Sequence, residues 1–518
     1  MITQAESALE KLLTIPHSPT ALFPRGGAYD PALNVWICHE FTELIAESSP
    51  EERDLFARFA GLALAAGQVH RQQILDSQAG KIWPQRWIDE HNGAALIDFC
   101  TAHPTAALPY ACLNDRLEVT PFSVAYRHTL ADVRKGLADV LASPAPSAVQ
   151  QAPYLQALHA AYAYDPARQS DLAWMNHADA QWVGIPTDVP YLLMCEFSES
   201  YSDPLKRLVV NQPAVAAWAT EVTEETGLGP WRFFFEFRVL GNLDSVLQPA
   251  EIVAIRTTNR QLYRDISDFL PSEQVKTEFR QSIVTAGHGA NPPKSAKNYP
   301  NQTDIRRDVG YRNIIFANQV QEKMRKEVIP ALRAAIPADW AQADWFANTM
   351  IRANALSVVA HEETHPWATF GGIPWLEELK CDILGLYSIL QIPSIHDEMA
   401  DLIITSVASD LLLHRYHTYL QTRGDSQFDD YHTGGTIWLT HLYRGGFFQL
   451  DGDGKVVDVV RAKAVPLLES FARRIMTIKT GATTHTTLYD ELFDQATIYT
   501  RFHGWTETQA YFEQLWAS

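Results

Sequence analysis

The chain has 518 residues, of which 46 % are apolar and 20 % charged, and its formal net charge is -19. That length exceeds one typical hydrophobic core and predicts two or three subdomains. The acidic balance excludes partners that recognise clustered Lys and Arg, namely nucleic acid and anionic membrane surfaces.

In chain order, residues 1 to about 140 read as mostly helical. EERDLFARFAGLALAAGQVHRQQIL, for instance, places its apolar residues three and four apart. The start, MITQAESALEKLLTIPHSP, lacks a basic n-region and a long apolar core, and no apolar run approaches the ~18 residues of a membrane span. Five scattered cysteines, Cys38, Cys100, Cys112, Cys195 and Cys381, form no Cys-x-x-Cys pair and point to a reducing compartment. A cytoplasmic location without a membrane partner is the expectation. ASPAPSAVQQAP, 142 to 153, is a break: a loop between helices or a subdomain seam.

VPYLLMCEF, WRFFFEFRVL and AEIVAIRT then read as strands, rich in aromatic and β-branched residues and bounded by Gly, Pro and Asn. HGANPPKSAKNYPNQTD, 288 to 304, reads as a long Pro/Asn loop of the kind that carries function. Beyond about 315 the pattern is helical again, except for FFQLDGDGKVVDV, 447 to 459, which signals a β-hairpin. Asp451-Gly-Asp453 is not read as a calcium loop, because Lys455 stands where an oxygen ligand is needed. These elements predict a helix-dominated α+β protein. Its expected parts are a mostly helical region 1–180, a mixed lobe with a β core at 181–310, and a helical lobe 311–518 carrying the hairpin.

HEETHPWATFGGIPWLEELKCD, 361 to 382, carries the chemistry. On a helix His361 and His365 share one face, about 6 Å apart along the axis. Two imidazoles so placed can hold one Zn²⁺ at about 2.0–2.1 Å. Glu362, one residue round, can reach a water beside the metal and serve as general base. A catalytic zinc site needs a third protein ligand and an open position. WLEELKCDILGLYSIL reads as an amphipathic helix that offers Glu378 as that ligand, with Asp382 one turn on to accept the spare N–H of a ligating histidine. The Gly/Pro turn between the segments can bring the two helices face to face.

EELKCDILGLY resembles the Glu-Glu-x-x-x-Asp/Glu helix of the dipeptidyl peptidase III family of zinc metallopeptidases. NYPNQTDIRRDVGYRNIIFAN, 298 to 318, is similar to a second segment of that family. The resemblance spans roughly 190 to 500 and implies two lobes flanking a cleft, with one Zn²⁺ per chain. By resemblance, Glu378 is the third ligand, Glu377 and Asp382 support the ligands, and Asn298 and Asn301 contact the backbone of bound peptide. SESYSDP, 198 to 204, implies a tyrosine near the scissile carbonyl, Tyr201 with Tyr191 as the alternative. DYHTGGTIWLTHLY, 430 to 443, implies a transition-state histidine, His432 with His441 as the alternative. The chain departs from the family proper in its five-residue histidine motif and in the shorter gap from His365 to Glu378. These departures bear on substrate preference more than on metal binding. The expectation is a peptidase cutting short peptides, with release of amino-terminal dipeptides as one form. The alternatives are a zinc hydrolase acting on a non-peptide amide or ester, and a zinc-stabilised peptide-binding protein.

Overall fold

The computed structural model describes residues 4–15, 27–78, 91–108, 110–113, 118–197, 208, 212–226, 234–243, 246–267, 270, 274–290, 295–330, 344–370, 373–404, 406, 429–452 and 456–494. Two compact units divide the chain. The first comprises Met1–Leu243, Ser272–Lys294 and Tyr299–Arg312; the second comprises Asp244–Pro271, Ser295–Asn298 and Asn313–Ser518.

The first unit is built on an antiparallel sheet path β1-β2-β7-β6-β5, with β1 Gly27–Asp30, β2 Val35–Cys38, β5 Tyr191–Phe197, β6 Phe234–Asn242 and β7 Val275–Gly287. The long helix Pro50–Gln78 packs on β6 and β7 and against the helices Gln4–Leu13 and Arg127–Leu141. Phe235, Phe237 and Val239 of β6 are fully buried. The same strand also buries charge: Arg238 donates through Nε to Glu236 Oε1 at 2.5 Å, and neither side chain is exposed. A small hairpin, β3 Ala111–Leu113 with β4 Val119–Pro121, lies off that path.

Strands β1 and β2 interrupt the mostly helical first 140 residues. The segment is short and turns at Asn34, whose φ of 56° Asn tolerates better than most residues. Window periodicity is dominated by the 29-residue helix beside it. The break at 142–153 joins helices inside the first unit: Pro146–Gln150 and Ala152–Ala161 follow each other almost directly.

Two expectations are corrected. The segment 288 to 304 is not a long loop: it contains a 3-10 turn at His288–Ala290, strand β8 Ala296–Tyr299 and the start of the helix Thr303–Asp308. Strand β8 pairs with β9 Tyr311–Phe316. Nor is AEIVAIRT a strand. It lies in the helix Pro249–Tyr263, which starts with Pro at its first turn and a capping box between Gln248 and Glu251. Its β-branched residues misled the reading, but Ile252, Ile255, Asn259 and Tyr263 are buried at helical spacing.

That helix folds with the second unit, which among the described residues is helical apart from the β8–β9 segments and the hairpin β10 Phe448–Leu450 with β11 Val456–Val459. At its centre lies Pro374–Leu390, packed against the helices Pro249–Tyr263, Asp344–Thr364, Asp429–Arg444 and Ala464–Lys479. Contacted on so many sides, the helix fully buries Lys380, Cys381, Ile383, Leu384, Ser388 and Ile389. The expected amphipathic helix keeps a part-exposed acidic face, with Glu377, Glu378 and Asp382 only partly covered, and buries the rest.

Val253 and Ile255 separate the helix from a strand experimentally. Two residues apart, they would share a face of a strand, whereas here Val253 is 56 % exposed and Ile255 is 0 % exposed. Ile255→Ala is expected to cost about 2–5 kcal/mol and Val253→Ala within about 0.5 kcal/mol, measured by urea unfolding. Equal losses would contradict the helix.

Candidate metal centre

The helix Asp344–Thr364 carries His361, Glu362 and Glu363 on its last turn, and His365 follows directly. Pro366 comes next, and a residue before proline is driven out of the helical region, so the helix ends here. Asp382 and Glu378 meet His361 while Cys381 meets His365, so this helix and Pro374–Leu390 run antiparallel. They approach backbone to backbone at Gly385. A Cβ there would lie 2.9 Å from the carbonyl carbon of Ala360 and 3.1 Å from the amide nitrogen of His361. A helix-interior glycine costs about 1 kcal/mol relative to alanine, and here it is what allows the contact.

The two imidazole rings stand edge to face, with centroids 4.8 Å apart. His361 turns Nδ1 to Asp382 Oδ1 at 2.6 Å and Nε2 to Glu378 Oε2 at 3.3 Å. His365 turns Nδ1 to Cys381 Sγ at 3.2 Å, with Glu377 Oε1 further off at 3.7 Å. Both Nδ1 atoms thus face protein partners. Glu378 Oε2 is buried and makes no hydrogen bond of good geometry beyond that 3.3 Å approach to His361 Nε2.

The electrostatics favour positive charge at this spot. Burial opposes a charge on His361, but Asp382 and Glu378 outweigh it and hold its pKa well above that of an ordinary imidazole. Burial likewise raises the Glu378 carboxyl, and the two histidines more than offset it. Burial pushes the Cys381 thiol up. For Glu377, burial is overcome chiefly by the Lys380 ammonium, which draws the carboxyl down to about 2.

Lys380 was not singled out from the sequence. Its ammonium is fully buried and donates to the carbonyls of Thr364 at 3.4 Å, His365 at 3.3 Å and Trp367 at 3.0 Å, and to Glu377 Oε1 at 2.7 Å. It closes the carboxyl end of the histidine helix, where unpaired carbonyls attract a cation. Glu377 Oε2 accepts from the Phe370 amide at 2.8 Å and so fastens the turn between the helices. On the other side, Glu363 is fully buried and takes Arg256 in a two-pronged pair at 2.8 and 3.1 Å. Tyr263 donates to the Leu384 carbonyl at 2.6 Å. The signals were there: a lysine set among Glu377, Glu378 and Asp382, and a glycine inside the helical run.

Asn298 lies in the second unit, and its amide donates to Asn313 Oδ1 and, at 3.2 Å, to the carbonyl of Glu362. Asn301 belongs to the first unit and accepts from Arg306 Nη2 at 2.7 Å. Tyr191, also in the first unit, is fully buried with its hydroxyl donating to Glu278 Oε2 at 3.2 Å. His441 packs against Phe471 and Trp438, which also stack on each other, and contacts the Leu467 carbonyl through Nε2 at 3.1 Å. Tyr201 lies outside the described residues, as does the side chain of His432, whose backbone is in the helix Asp429–Arg444.

A group of two imidazoles and a buried carboxylate oxygen suits a tetrahedral zinc ion with an open position. His361, His365 and Cys381 also form a group whose potential ligand atoms lie within 4.8 Å of one another. The two sets differ in direction: Glu378 meets His361 at Nε2, whereas Cys381 meets His365 at Nδ1.

No protein-family model matches the chain, and no curated protein matches it. Solved structures do. The dipeptidyl-peptidase III (DPP III) from Caldithrix abyssi aligns with a TM-score of 0.58 at 14 % identity, covering 100 % of this chain and 94 % of its own. The dipeptidyl-peptidase III from Corallococcus sp. strain EGB aligns with a TM-score of 0.56 at 15 % identity, covering 99 % of this chain and 90 % of its own. The chain has a dipeptidyl-peptidase III-like fold.

That fold reaches this chain with few identical residues, so the candidate metal centre is judged on local packing. Within the dipeptidyl-peptidase III-like fold, Gly385→Ala is expected to force the histidine and carboxylate helices apart and weaken zinc uptake at least tenfold, because the neighbouring backbone cannot yield cheaply. Chelator competition would measure it. Unchanged affinity would mean that the close approach is not required.

Proposed function

We propose that the protein is a zinc-dependent metallopeptidase that hydrolyses short peptides, with release of amino-terminal dipeptides as the favoured form. The observation that carries this reading is the buried Glu378 Oε2 standing 3.3 Å from His361 Nε2, with both histidine Nδ1 atoms turned to protein groups. It is supported by a fold shared with two structures named as dipeptidyl-peptidase III.

In this reading His361 and His365 hold zinc through Nε2 and Glu378 through its carboxylate. Zinc, when bound, supplies a Lewis acid that polarises a carbonyl and acidifies water. Asp382 accepts the Nδ1 proton of His361, which fixes the tautomer and makes the ring a stronger donor. Glu362, 8 % exposed and one residue round the helix from His361, takes the proton of the attacking water and returns it to the leaving amine. Glu363 and Lys380 hold the end of the histidine helix in place while the proton moves. Asn298, fastened beside the Glu362 carbonyl, and Asn301 are the proposed contacts to peptide backbone, and His432 or Tyr201 the proposed support for the developing oxyanion. A cytoplasmic location belongs to the same proposal and rests on the cysteine pattern.

Incubation with a mixed oligopeptide library, read by mass spectrometry with and without chelator, tests the whole reading. Chelator-sensitive loss of amino-terminal dipeptides is the expected outcome. Zinc binding with cleavage only of non-peptide amides or esters, or with peptide capture and no cleavage, would replace the peptidase. Glu362→Gln is expected to keep one zinc per chain and lower turnover by at least a hundredfold; wild-type turnover would remove Glu362 as the base. Glu378→Ala is expected to lose most of its zinc under chelator challenge, and unchanged stoichiometry would remove Glu378 as a ligand.

A further inference from the structure

We propose that Cys381 is a positioning residue for the metal centre: its sulfur receives the Nδ1–H of His365 and so leaves Nε2 of that ring as the atom that takes the metal. The inference rests on the zinc reading above and assigns a role to a residue the mechanism has not used.

An imidazole that ligates through one nitrogen keeps a proton on the other, and the partner of that proton sets the tautomer and the ring orientation. His361 has such a partner in Asp382 at 2.6 Å. For His365 the nearby carboxylate is Glu377, but its oxygens are committed elsewhere. Oε1 accepts from Lys380 at 2.7 Å and stands 3.7 Å from Nδ1, beyond hydrogen-bond reach; Oε2 accepts from the Phe370 amide at 2.8 Å. Cys381 Sγ stands closer, at 3.2 Å, on a side chain with no solvent exposure. Consecutive residues of one helix, Cys381 and Asp382, thus serve the two rings. The helical twist of about 100° per residue separates their side chains as the rings require.

The two partners differ in kind. A carboxylate on His361 makes that ring a strong donor, whereas a neutral thiol orients His365 without adding charge. A second carboxylate at 381 would face Glu377, Glu378 and Asp382 across a few ångströms in a buried site, a like-charge crowd that disfavours ionisation. The thiol orients the ring and avoids that repulsion.

The test uses the full-length protein with Cys381→Ala and Cys381→Ser, zinc affinity by competition with a chromophoric chelator, and the absorption spectrum of the Co²⁺ form. Cys381→Ala is expected to weaken zinc binding by about 10–100-fold. Cys381→Ser, which keeps an acceptor, is expected to restore most of that loss. A packing role would not separate them in this way, because serine fills less space than cysteine. The wild-type Co²⁺ form is expected to show no sulfur-to-cobalt charge-transfer band. Equal zinc affinity in wild type and Cys381→Ala would overturn the inference. So would a sulfur-to-cobalt band in the wild type that Cys381→Ala abolishes, since it would make Cys381 a ligand. Wild-type protein that takes up neither ion would overturn the zinc reading itself; normal wild-type uptake with an indifferent Cys381→Ala would overturn this inference alone.

Discussion

The second unit depends on one close contact, the antiparallel approach of Asp344–Thr364 to Pro374–Leu390 at Gly385 and Ala360. Backbone meets backbone there because residue 385 has no side chain. The result is that short side chains suffice across the gap: Asp382 and Glu378 reach His361, and Cys381 reaches His365. Were the helices spaced by a leucine or isoleucine at 385, the same residues would not meet.

So tight a cluster of acids and imidazoles carries a cost in desolvation, and the surrounding charges offset part of it. Lys380 and Arg256 bring two cations against Glu377 and Glu363, one on each side of the histidine turn. Buried ion pairs contribute little net stability, but removing one member leaves a charge stranded and costs about 3–5 kcal/mol. These pairs therefore specify geometry: Lys380 can satisfy three carbonyls and Glu377 together only if the histidine helix ends where it does. The buried Glu378 carboxylate oxygen, 3.3 Å from His361 Nε2, is the feature a divalent cation would satisfy.

The dipeptidyl-peptidase III-like fold persists here at 14 % and 15 % identity. Most positions need only be apolar and of suitable size, which many sequences meet. The first unit makes the point: its sheet buries Phe235, Phe237, Val239 and Val284, any of which a similar residue could replace, whereas the Glu236–Arg238 pair demands its partners. Strand reading succeeded for β5 and β6, whose aromatic runs are bounded by turn residues, and failed for Pro249–Tyr263. There β-branched residues suggested a strand while burial follows a helical stripe.

The sequence by itself determined the chemistry on offer. His361, Glu362 and His365 are singled out by helical spacing, which fixes which residues share a face within one segment, and Glu378 and Asp382 by their own i, i+4 spacing together with the family resemblance. It also determined the helix-dominated α+β class. Periodicity carries no information about which segments meet. Only the tertiary structure decided that a helix from the middle of the chain would bring Arg256 to Glu363. It also decided that Lys380 would turn inward to the carbonyls, and that Cys381 rather than Glu377 would lie nearest His365 Nδ1. Those outcomes follow from the helix spacing set at Gly385 and from competition among nearby groups for a limited set of donors and acceptors.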